Sequence, residues 1–245
     1  MSWKTALTLS AAALLSLPAT AEAQDRDWHG QITPYVWAAG LGGDATPFTG
    51  APTFSVDKSL SEVLEDTDGA MFLTGYARRD RLVFMGDLSL SSSSKEGVVP
   101  PGLPARAKLR QRSMTLLAGY RAIDTPDMHL DVLGGARLWK VEAQVDLLGG
   151  AISRSGDKSF ADPLVALRAN YRLSPRWSAI FYADYGGFGV GSEQTSQLVA
   201  TANYQVTENV YLSAGYRQLN VDYRDGGTRI DMTMAGPLVG VSLRF

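Results

Sequence analysis

The final residues of the chain alternate between apolar positions and polar or small ones. Val239, Val241 and Leu243 are apolar, the residues between them are polar or small, and the chain stops at Phe245. Successive side chains of a β-strand point to opposite sides, so this pattern gives the strand one face for lipid and one for a polar lumen. The ending therefore predicts a strand of a transmembrane β-barrel.

Three consecutive segments show the same alternation, over residues 159–173, 177–187 and 193–206. In each of them one face carries aliphatic and aromatic residues, and the other carries Asp, Arg, Asn, Gln or Ser. Such a contrast over three neighbouring segments indicates strands that are apolar on one side only. We therefore expect these segments to be adjacent strands of one barrel.

The segment 128–147 keeps this pattern with Leu130, Val132, Ala136 and Leu138 outward, and then changes phase near Lys140. A change of phase within a strand is typical of a bulge, or of the point where a strand leaves the bilayer. We therefore expect the register to reset near Lys140.

Tight turns alternate with longer polar connections along the whole chain. The ten predicted strands cover residues 28–40, 69–78, 82–92, 109–122, 128–147, 159–173, 177–187, 193–206, 210–223 and 229–245. The tight turns lie at residues 79–81, 124–127, 174–176 and 207–209, and the longer connections at 41–68, 91–107, 148–158, 187–192 and 225–228. Short periplasmic turns and longer extracellular loops are typical of outer-membrane barrels.

These features predict an all-β fold, an antiparallel transmembrane β-barrel of ten strands, with eight strands as the alternative. A soluble β-sandwich or a lipocalin-like barrel also alternates, but turn asymmetry and the aromatic ending favour the membrane barrel. Trp28, Tyr120, Trp177 and Phe245 lie within a few residues of predicted periplasmic turns or chain ends, as an interfacial girdle would.

The first long connection contains one helical signal. Ser59 and Glu62 have the spacing of a capping box, and Leu60, Val63 and Leu64 share one helical face. This predicts a short helix in the first extracellular loop, where it would pack on the rim or close the mouth.

The beginning of the chain and its composition fit a secreted protein. Lys4, an apolar run over residues 6–17, Pro18 and the pair Ala21 and Ala23 predict a signal peptide over residues 1–23. Residues 24–245 are then one barrel domain. The chain has no cysteine and a net charge of −2, which leaves no disulfide scaffold and no basic footprint for nucleic acid.

Several stretches carry a resemblance to a known group. They are residues 34–40, 59–65, 183–192, 214–217 and 234–240. Through them the chain resembles a broad, porin-like group of proteobacterial outer-membrane β-barrel proteins that has no assigned activity. The resemblance implies a place in the outer membrane of a Gram-negative cell, outer-membrane lipid and lipopolysaccharide as surroundings, and a monomer. Phe245 resembles the sorting signal that the outer-membrane insertion machinery reads.

Five charged residues fall on the polar faces near the middle of their strands. They are Asp87, Arg137, Arg168, Asp184 and Arg217. All five point inward, and Asp87, Arg168, Asp184 and Arg217 lie at similar distances from the nearest tight turn, so we expect these charges to meet across a narrow lumen. They would form either a structural ion-pair network or a constriction selective for a small solute.

The functional hypothesis is an envelope component or a narrow passive channel for small solutes. The alternatives are a lipid-processing outer-membrane enzyme and a surface adhesin acting through loops such as residues 91–107. The two histidines, His29 and His129, lie at strand ends and neither is in a His-x-Ser pair. We therefore assign no catalytic residue, and the spacing of the loop aspartates indicates neither a metal nor another cofactor.

Overall fold

The computed structural model describes residues 28–46, 53–99 and 102–245, and the predicted signal peptide lies outside these ranges. Twelve strands and one helix make up the described chain. They are β1 (Trp28–Trp37), β2 (Gly40–Thr46), β3 (Phe54–Lys58), α1 (Leu60–Asp66), β4 (Thr67–Arg79), β5 (Leu82–Val99), β6 (Leu103–Asp124), β7 (Met128–Leu147), β8 (Ile152–Arg172), β9 (Trp177–Gly187), β10 (Gln194–Gln205), β11 (Val210–Asp225) and β12 (Thr228–Arg244).

The strands form one closed antiparallel barrel with ten strand positions around the lumen. Neighbours follow the order β1, β4, β5 and so on to β12, and β12 pairs back with β1. Ten strands surround the lumen because β1 and β2 follow each other along the same edge of β12 and occupy one position in the ring. Trp37 of β1 pairs with Leu238 of β12, and Gly40 of β2 pairs with Ala235. The predicted first strand is thus interrupted after Trp37, and β3 pairs only with the outer edge of β2.

The two ends of the barrel differ. Turns of two to four residues join the strands at what we call the short-turn end, where β1 begins and β12 ends. At the opposite, long-hairpin end, paired strands extend far beyond the barrel. Residues 91–107 and 148–158, predicted as loops, are mainly strand, because β5 pairs with β6 up to Val99 and β7 with β8 up to Leu147. Residues 91–94 and 153–158 have no large apolar positions, so the alternation that marks a strand is lost from these parts of the sequence.

The barrel wall is apolar outside and mixed inside. Phe181 is 52% exposed, whereas its neighbour Tyr182 is 5% exposed and faces the lumen. The predicted girdle residues Trp28, Trp177 and Phe245 are exposed at the short-turn end. An exposed apolar belt with a buried polar interior reverses the arrangement of a soluble barrel and matches a wall surrounded by lipid.

Of the two explanations for the change of phase near Lys140, the bulge is wrong, whereas the end of the apolar outer face fits the structure. Pairing of β7 with β6 and with β8 continues without a bulge through Lys140. The phase changes because outward Leu138 is followed on the same face by Lys140, while the inward Trp139 is large, apolar and only 4% exposed. Its indole Nε1 donates a hydrogen bond to Asp162 Oδ2 at 2.9 Å, which gives an aromatic residue a reason to occupy a lumen position.

The predicted short helix is confirmed as α1. Ser59 is its N-cap, and the reciprocal hydrogen bonds of a capping box join Ser59 and Glu62. Lys58 Nζ lies 2.6 Å from Asp66 Oδ2 and, by hydrogen bonding, lowers the pKa of that carboxyl. Among the described residues no helix has the length and apolarity to cross a bilayer.

Candidate functional site: the charged lumen

Charged side chains fill the middle of the barrel. The buried charged residues of the described chain are four aspartates and four arginines, namely Asp87, Asp131, Asp162, Asp184, Arg121, Arg137, Arg168 and Arg217. All five predicted lumen residues are among them. Their formal charges sum to zero, which the cost of burying an unpaired charge would require.

Arg217 and Asp87 form the first ion pair of the mid-barrel group, which we define as Asp87, Arg137, Asp184, Gln197 and Arg217. Arg217 Nη2 lies 3.2 Å from Asp87 Oδ1. Tyr35 donates its hydroxyl proton to Asp87 Oδ2 at 2.8 Å and accepts a hydrogen bond from Arg217 Nη1. Thr74 also donates to Asp87 Oδ2, at 2.8 Å, so the carboxylate is held from several sides.

Arg137 and Asp184 form the second ion pair of this group. Arg137 Nη2 lies 2.5 Å from Asp184 Oδ2, and both side chains are almost completely buried. Arg137 also donates to the hydroxyls of Thr115 and Thr195, at 3.0 and 3.1 Å. Tyr182 donates to Asp184 Oδ2 at 2.7 Å. A paired guanidinium group that donates hydrogen bonds from all three nitrogens, as Arg137 does, is the form in which arginine is tolerated inside a protein.

Gln197 joins the two pairs. Its Oε1 accepts hydrogen bonds from Arg217 Nη2 at 2.7 Å and from Arg137 Nη2 at 3.5 Å. Asp87 on β5 and Gln197 on β10 come from strands on opposite sides of the ten-stranded barrel. The mid-barrel group therefore forms a polar bridge across the lumen.

Arg168 does not belong to this bridge, although the sequence pattern predicted that it would meet the other charges across the lumen. It lies in a second cluster, the short-turn group, which consists of Tyr76, Arg121, Asp131 and Arg168. Arg168 Nη1 is 3.4 Å from Asp131 Oδ2, and Arg121 Nε is 2.8 Å from Asp131 Oδ1. Barrel strands are tilted, so equal distances from a turn do not give equal heights in the lumen.

The short-turn group places two arginines around one carboxylate. Tyr76 links them, since its hydroxyl donates to Asp131 Oδ2 at 3.0 Å and accepts from Arg121 Nη2 at 2.7 Å. The guanidinium of Arg168 lies 4.4 Å from the centre of the Tyr76 ring. Arg121 has a further, partly exposed acceptor in Asp124 Oδ1 at 3.4 Å, so this group extends toward solvent at the barrel end.

Asp162 is a buried carboxylate held by neutral donors. Besides the Trp139 indole, the backbone N–H of Ser192 donates to Asp162 Oδ1 at 2.6 Å. This bond ties the connection between β9 and β10 to the wall. The sequence pattern of β8 placed Asp162 on the polar face, but nothing in it distinguished this residue from an exposed aspartate.

An apolar layer covers the mid-barrel group on the long-hairpin side. It consists of Trp37, Phe72, Trp139, Leu219, Val221 and Leu238. Arg217 connects the two, because its guanidinium lies 4.5 Å from the Trp37 ring. Phe160 stacks on Tyr223 with ring centres 4.4 Å apart, which adds a further aromatic contact at this end.

On the short-turn side of the mid-barrel group the lumen contains a cavity of about 100 Å³. Asp87, Tyr182, Gln197 and Arg217 line its inner end, and Gln31 and Ser242 line its other end. A cavity of this size holds a few water molecules. The apolar layer therefore fills the lumen on one side of the polar bridge, and a small cavity lies on the other side.

The histidines lie where the sequence predicted, near the short-turn end. His129 Nδ1 is 2.7 Å from Asp124 Oδ1, which resembles the orienting half of a catalytic pair. A nucleophile would have to be hydrogen-bonded to this imidazole, and no hydroxyl of the described residues is. Within residues 28–46, 53–99 and 102–245, no three His, Cys, Asp or Glu residues are grouped so that they could hold a metal ion.

Phe245 closes the barrel at its seam. Its backbone N–H donates to Gly30 O at 3.0 Å and its carbonyl accepts from Gly30 N at 2.7 Å. A side chain at position 30 would overlap the Phe245 ring, so glycine is needed there for the ring to lie on the barrel surface. Its proposed role as a sorting signal stays a prediction.

Solved structures provide the comparison with known proteins. The outer membrane protease OmpT from Escherichia coli matches with a TM-score of 0.61 at 12% identity, over 89% of this chain and 96% of that one. The translocator domain of the autotransporter NalP from Neisseria meningitidis matches with a TM-score of 0.50 at 14% identity, over 91% and 90%. No protein-family model and no curated protein matches the sequence. The chain therefore has the outer-membrane β-barrel fold, and these likenesses carry no activity to it.

Proposed function

We propose that this chain is a closed β-barrel of the bacterial outer membrane that serves as an envelope component and conducts no solute. The observation that supports this most is the polar bridge between strands on opposite sides of the barrel. In it, Arg217 Nη2 donates to Asp87 Oδ1 at 3.2 Å and to Gln197 Oε1 at 2.7 Å. A constriction that passes solutes needs side chains that leave a path between them. Here they are bonded to one another, and an apolar layer lies directly above.

The same arrangement favours a structural role for the charges over a selectivity role. A selective pore presents an excess of one charge to the passing ion, whereas the buried charges of this lumen are equal in number. Paired charges inside a narrow barrel fix the positions of the strands relative to one another. The short end of the barrel would face the periplasm and the long hairpins the exterior.

Non-enzymatic function is part of this proposal. The contact between His129 and Asp124 is the arrangement closest to catalytic geometry, and it lacks a nucleophile among the described residues. A lipid-processing enzyme would also need its reacting groups at a surface that lipid reaches, and the buried carboxylates are bonded inside the lumen.

Binding through the long hairpins is a second candidate function. Its support is the paired extension of β5 to β8, which presents strands from Ser91 to Val99 and from Ile152 to Ser159 beyond the apolar belt. An adhesin of this kind would keep its closed barrel after the β5–β6 hairpin is shortened. Loss of cell or matrix binding with an unchanged barrel would favour this candidate.

Two measurements test the main proposal. Membrane fractionation of cells expressing the full chain should place the protein in the outer membrane, and its folded form should migrate differently before and after boiling. Liposomes containing the folded protein should not swell in isotonic solutions of small sugars. Rapid swelling would contradict closure, and a soluble product without a heat-dependent shift would contradict the membrane assignment.

A further inference from the structure

The outer surface of β6 and β7 changes abruptly from apolar to basic. Met114 and Leu138 face each other across these strands and are 38% and 43% exposed, as part of the apolar belt. One step further toward the long hairpins on the same face, Arg112 lies opposite Lys140. The cations therefore begin where the apolar belt ends.

Two more cations continue the same column on β6, at Arg110 and Lys108. Their outward direction follows from their neighbours, because Ser113 is 4% exposed and Gln111 reaches Met234 Sδ across the lumen at 3.7 Å. Alternate residues of a strand share a face, so Lys108, Arg110 and Arg112 project outward together. We name these three residues and Lys140 the basic face.

The basic face has more cations than the protein compensates. Two like charges directly opposite each other on neighbouring strands repel, as Arg112 and Lys140 do. Glu142 lies 2.8 Å from Lys140 Nζ and 3.9 Å from Arg112 Nη2, so it serves both. Asp157 lies opposite Glu142, and Asp146 also attracts Lys108, so the four cations have three carboxylates near them and keep a surplus of one positive charge.

The basic face also has a concave shape. A surface pocket of about 330 Å³ is lined by Lys108, Arg110, Lys140, Glu142, Ser155 and Asp157. The cross-strand neighbours of Lys108 are the uncharged Ser94 and Gln144. Amines, guanidinium groups and hydroxyls around one pocket form a set of donors suited to phosphate oxygens.

The opposite side of the barrel has the reverse charge at the corresponding position. Asp222, Asp231 and Asp44 lie in one row across β11, β12 and β2. Arg224 and Arg229 lie beside this acidic row and are balanced by it, so a surplus of outward cations is a local feature of β6 and β7. A diffuse attraction to a charged membrane would not need this asymmetry.

We propose that the basic face binds the phosphate groups of an anionic lipid in the leaflet around the long-hairpin end. Cations at the edge of an apolar belt lie at the depth of lipid headgroups. Arg110 and Arg112 can bind phosphate oxygens in a bidentate manner, and Lys108 and Lys140 add point charges. The lipid would supply the charge that the protein does not. This inference rests on the proposed membrane location, and it does not depend on whether the barrel is closed.

The test uses the folded chain in nanodiscs of phosphatidylcholine with a fixed fraction of bisphosphorylated lipid A. Native mass spectrometry would count the lipid A molecules retained by the protein. The patch variant carries Lys108→Gln and Arg110→Gln. The matched control carries Arg224→Gln and Arg229→Gln, two outward cations on the β11–β12 hairpin that face each other across the strands. A heat-dependent shift on a gel verifies that each variant is folded.

We expect the wild type and the control to retain lipid A, and the patch variant to bind it about 25-fold more weakly, which is roughly fivefold for each cation. Dephosphorylated lipid A should be retained by none of them. Replacing lipid A by phosphatidylglycerol at equal charge distinguishes the sources of the phosphate, since equal retention would identify a phospholipid as sufficient. Equal retention by patch variant and control, or retention that survives dephosphorylation, would overturn the proposal while leaving the barrel assignment intact.

Discussion

The mid-barrel group and the short-turn group solve the problem of buried charge in different ways. In the mid-barrel group each arginine has its own aspartate, and both side chains of the Arg137–Asp184 pair are almost completely buried. In the short-turn group Arg121 and Arg168 share Asp131, and the excess positive charge is relieved by a ring contact with Tyr76 and by the partly exposed Asp124. One-to-one pairing balances the charge within the mid-barrel group, whereas shared pairing in the short-turn group depends on a further carboxylate, Asp124, at the barrel end.

This difference predicts that loss of a mid-barrel aspartate is the most costly single change. Asp184→Asn leaves Arg137 charged and buried with no anionic partner, and we expect the free energy of unfolding to fall by about 3–5 kcal/mol. Urea unfolding of the barrel in lipid vesicles measures it. Asp222→Asn, which breaks the more exposed contact with Arg224 at 2.8 Å, is the control and should cost at most about 1 kcal/mol. Equal losses would remove the distinction between buried and exposed pairs.

Gln197 should show the next largest effect, because it belongs to both ion pairs. Gln197→Leu deprives Arg217 and Arg137 of a common acceptor, and we expect a loss of about 1–3 kcal/mol in the free energy of unfolding. Gln205→Leu, on the same strand near the short-turn end, is the control. If Gln197 links the pairs, combining its replacement with Asp184→Asn should give a loss that differs from the sum of the two. Additive losses would mean that the two pairs are independent.

Removal of Arg168 should be much better tolerated. In Arg168→Met the pair of Arg121 with Asp131 at 2.8 Å remains intact and neutral, so we expect a loss of about 1 kcal/mol or less. Arg121→Met is the matched change, and it should cost more because it removes the shorter contact and the bond to Tyr76. The same unfolding assay decides, and a loss above that of Asp184→Asn would reverse the comparison.

The smallest net effect is expected when a mid-barrel pair is replaced as a whole. The double variant Arg137→Met with Asp184→Leu removes both charges, so no unpaired charge stays buried. We expect it to recover most of the stability that Asp184→Asn loses, since buried pairs can often be exchanged for apolar residues at little cost. A double variant as unstable as the single one would show that hydrogen bonds to Thr115 and Thr195, and not charge, dominate at this site.

The fold could be predicted from the sequence because a lipid-facing wall needs strict alternation. That requirement holds within the apolar belt and ends above it, which is why the belt strands were predicted and the extensions of β5, β6 and β8 were missed. Trp139, a large apolar residue on the inward face of β7, departs from the alternation for a related reason. Its indole N–H donates a hydrogen bond to buried Asp162, and this bond places the aromatic ring in the lumen although its size and apolarity would also suit the lipid-facing side.

The site could be predicted only in part. Inward direction and burial of five charged residues followed from alternation, but their partners did not. Pairing depends on the tilt of the strands, which places Arg168 beside Asp131 and not beside Asp184. Gln197, a member of the mid-barrel group, and Tyr35, which hydrogen-bonds Asp87 and Arg217, are uncharged residues on the polar faces of their strands. Nothing in their local sequence distinguishes them from other polar lumen residues.

Single-channel recording of the folded wild-type protein in a planar bilayer tests the central claim most directly. Because hydrogen bonds between Asp87, Gln197 and Arg217 cross the lumen and an apolar layer covers them, we expect no discrete conductance steps in wild-type protein whose folding is verified by its heat-dependent shift. Reproducible steps that scale with salt concentration would contradict the closed barrel and restore the role of a narrow channel.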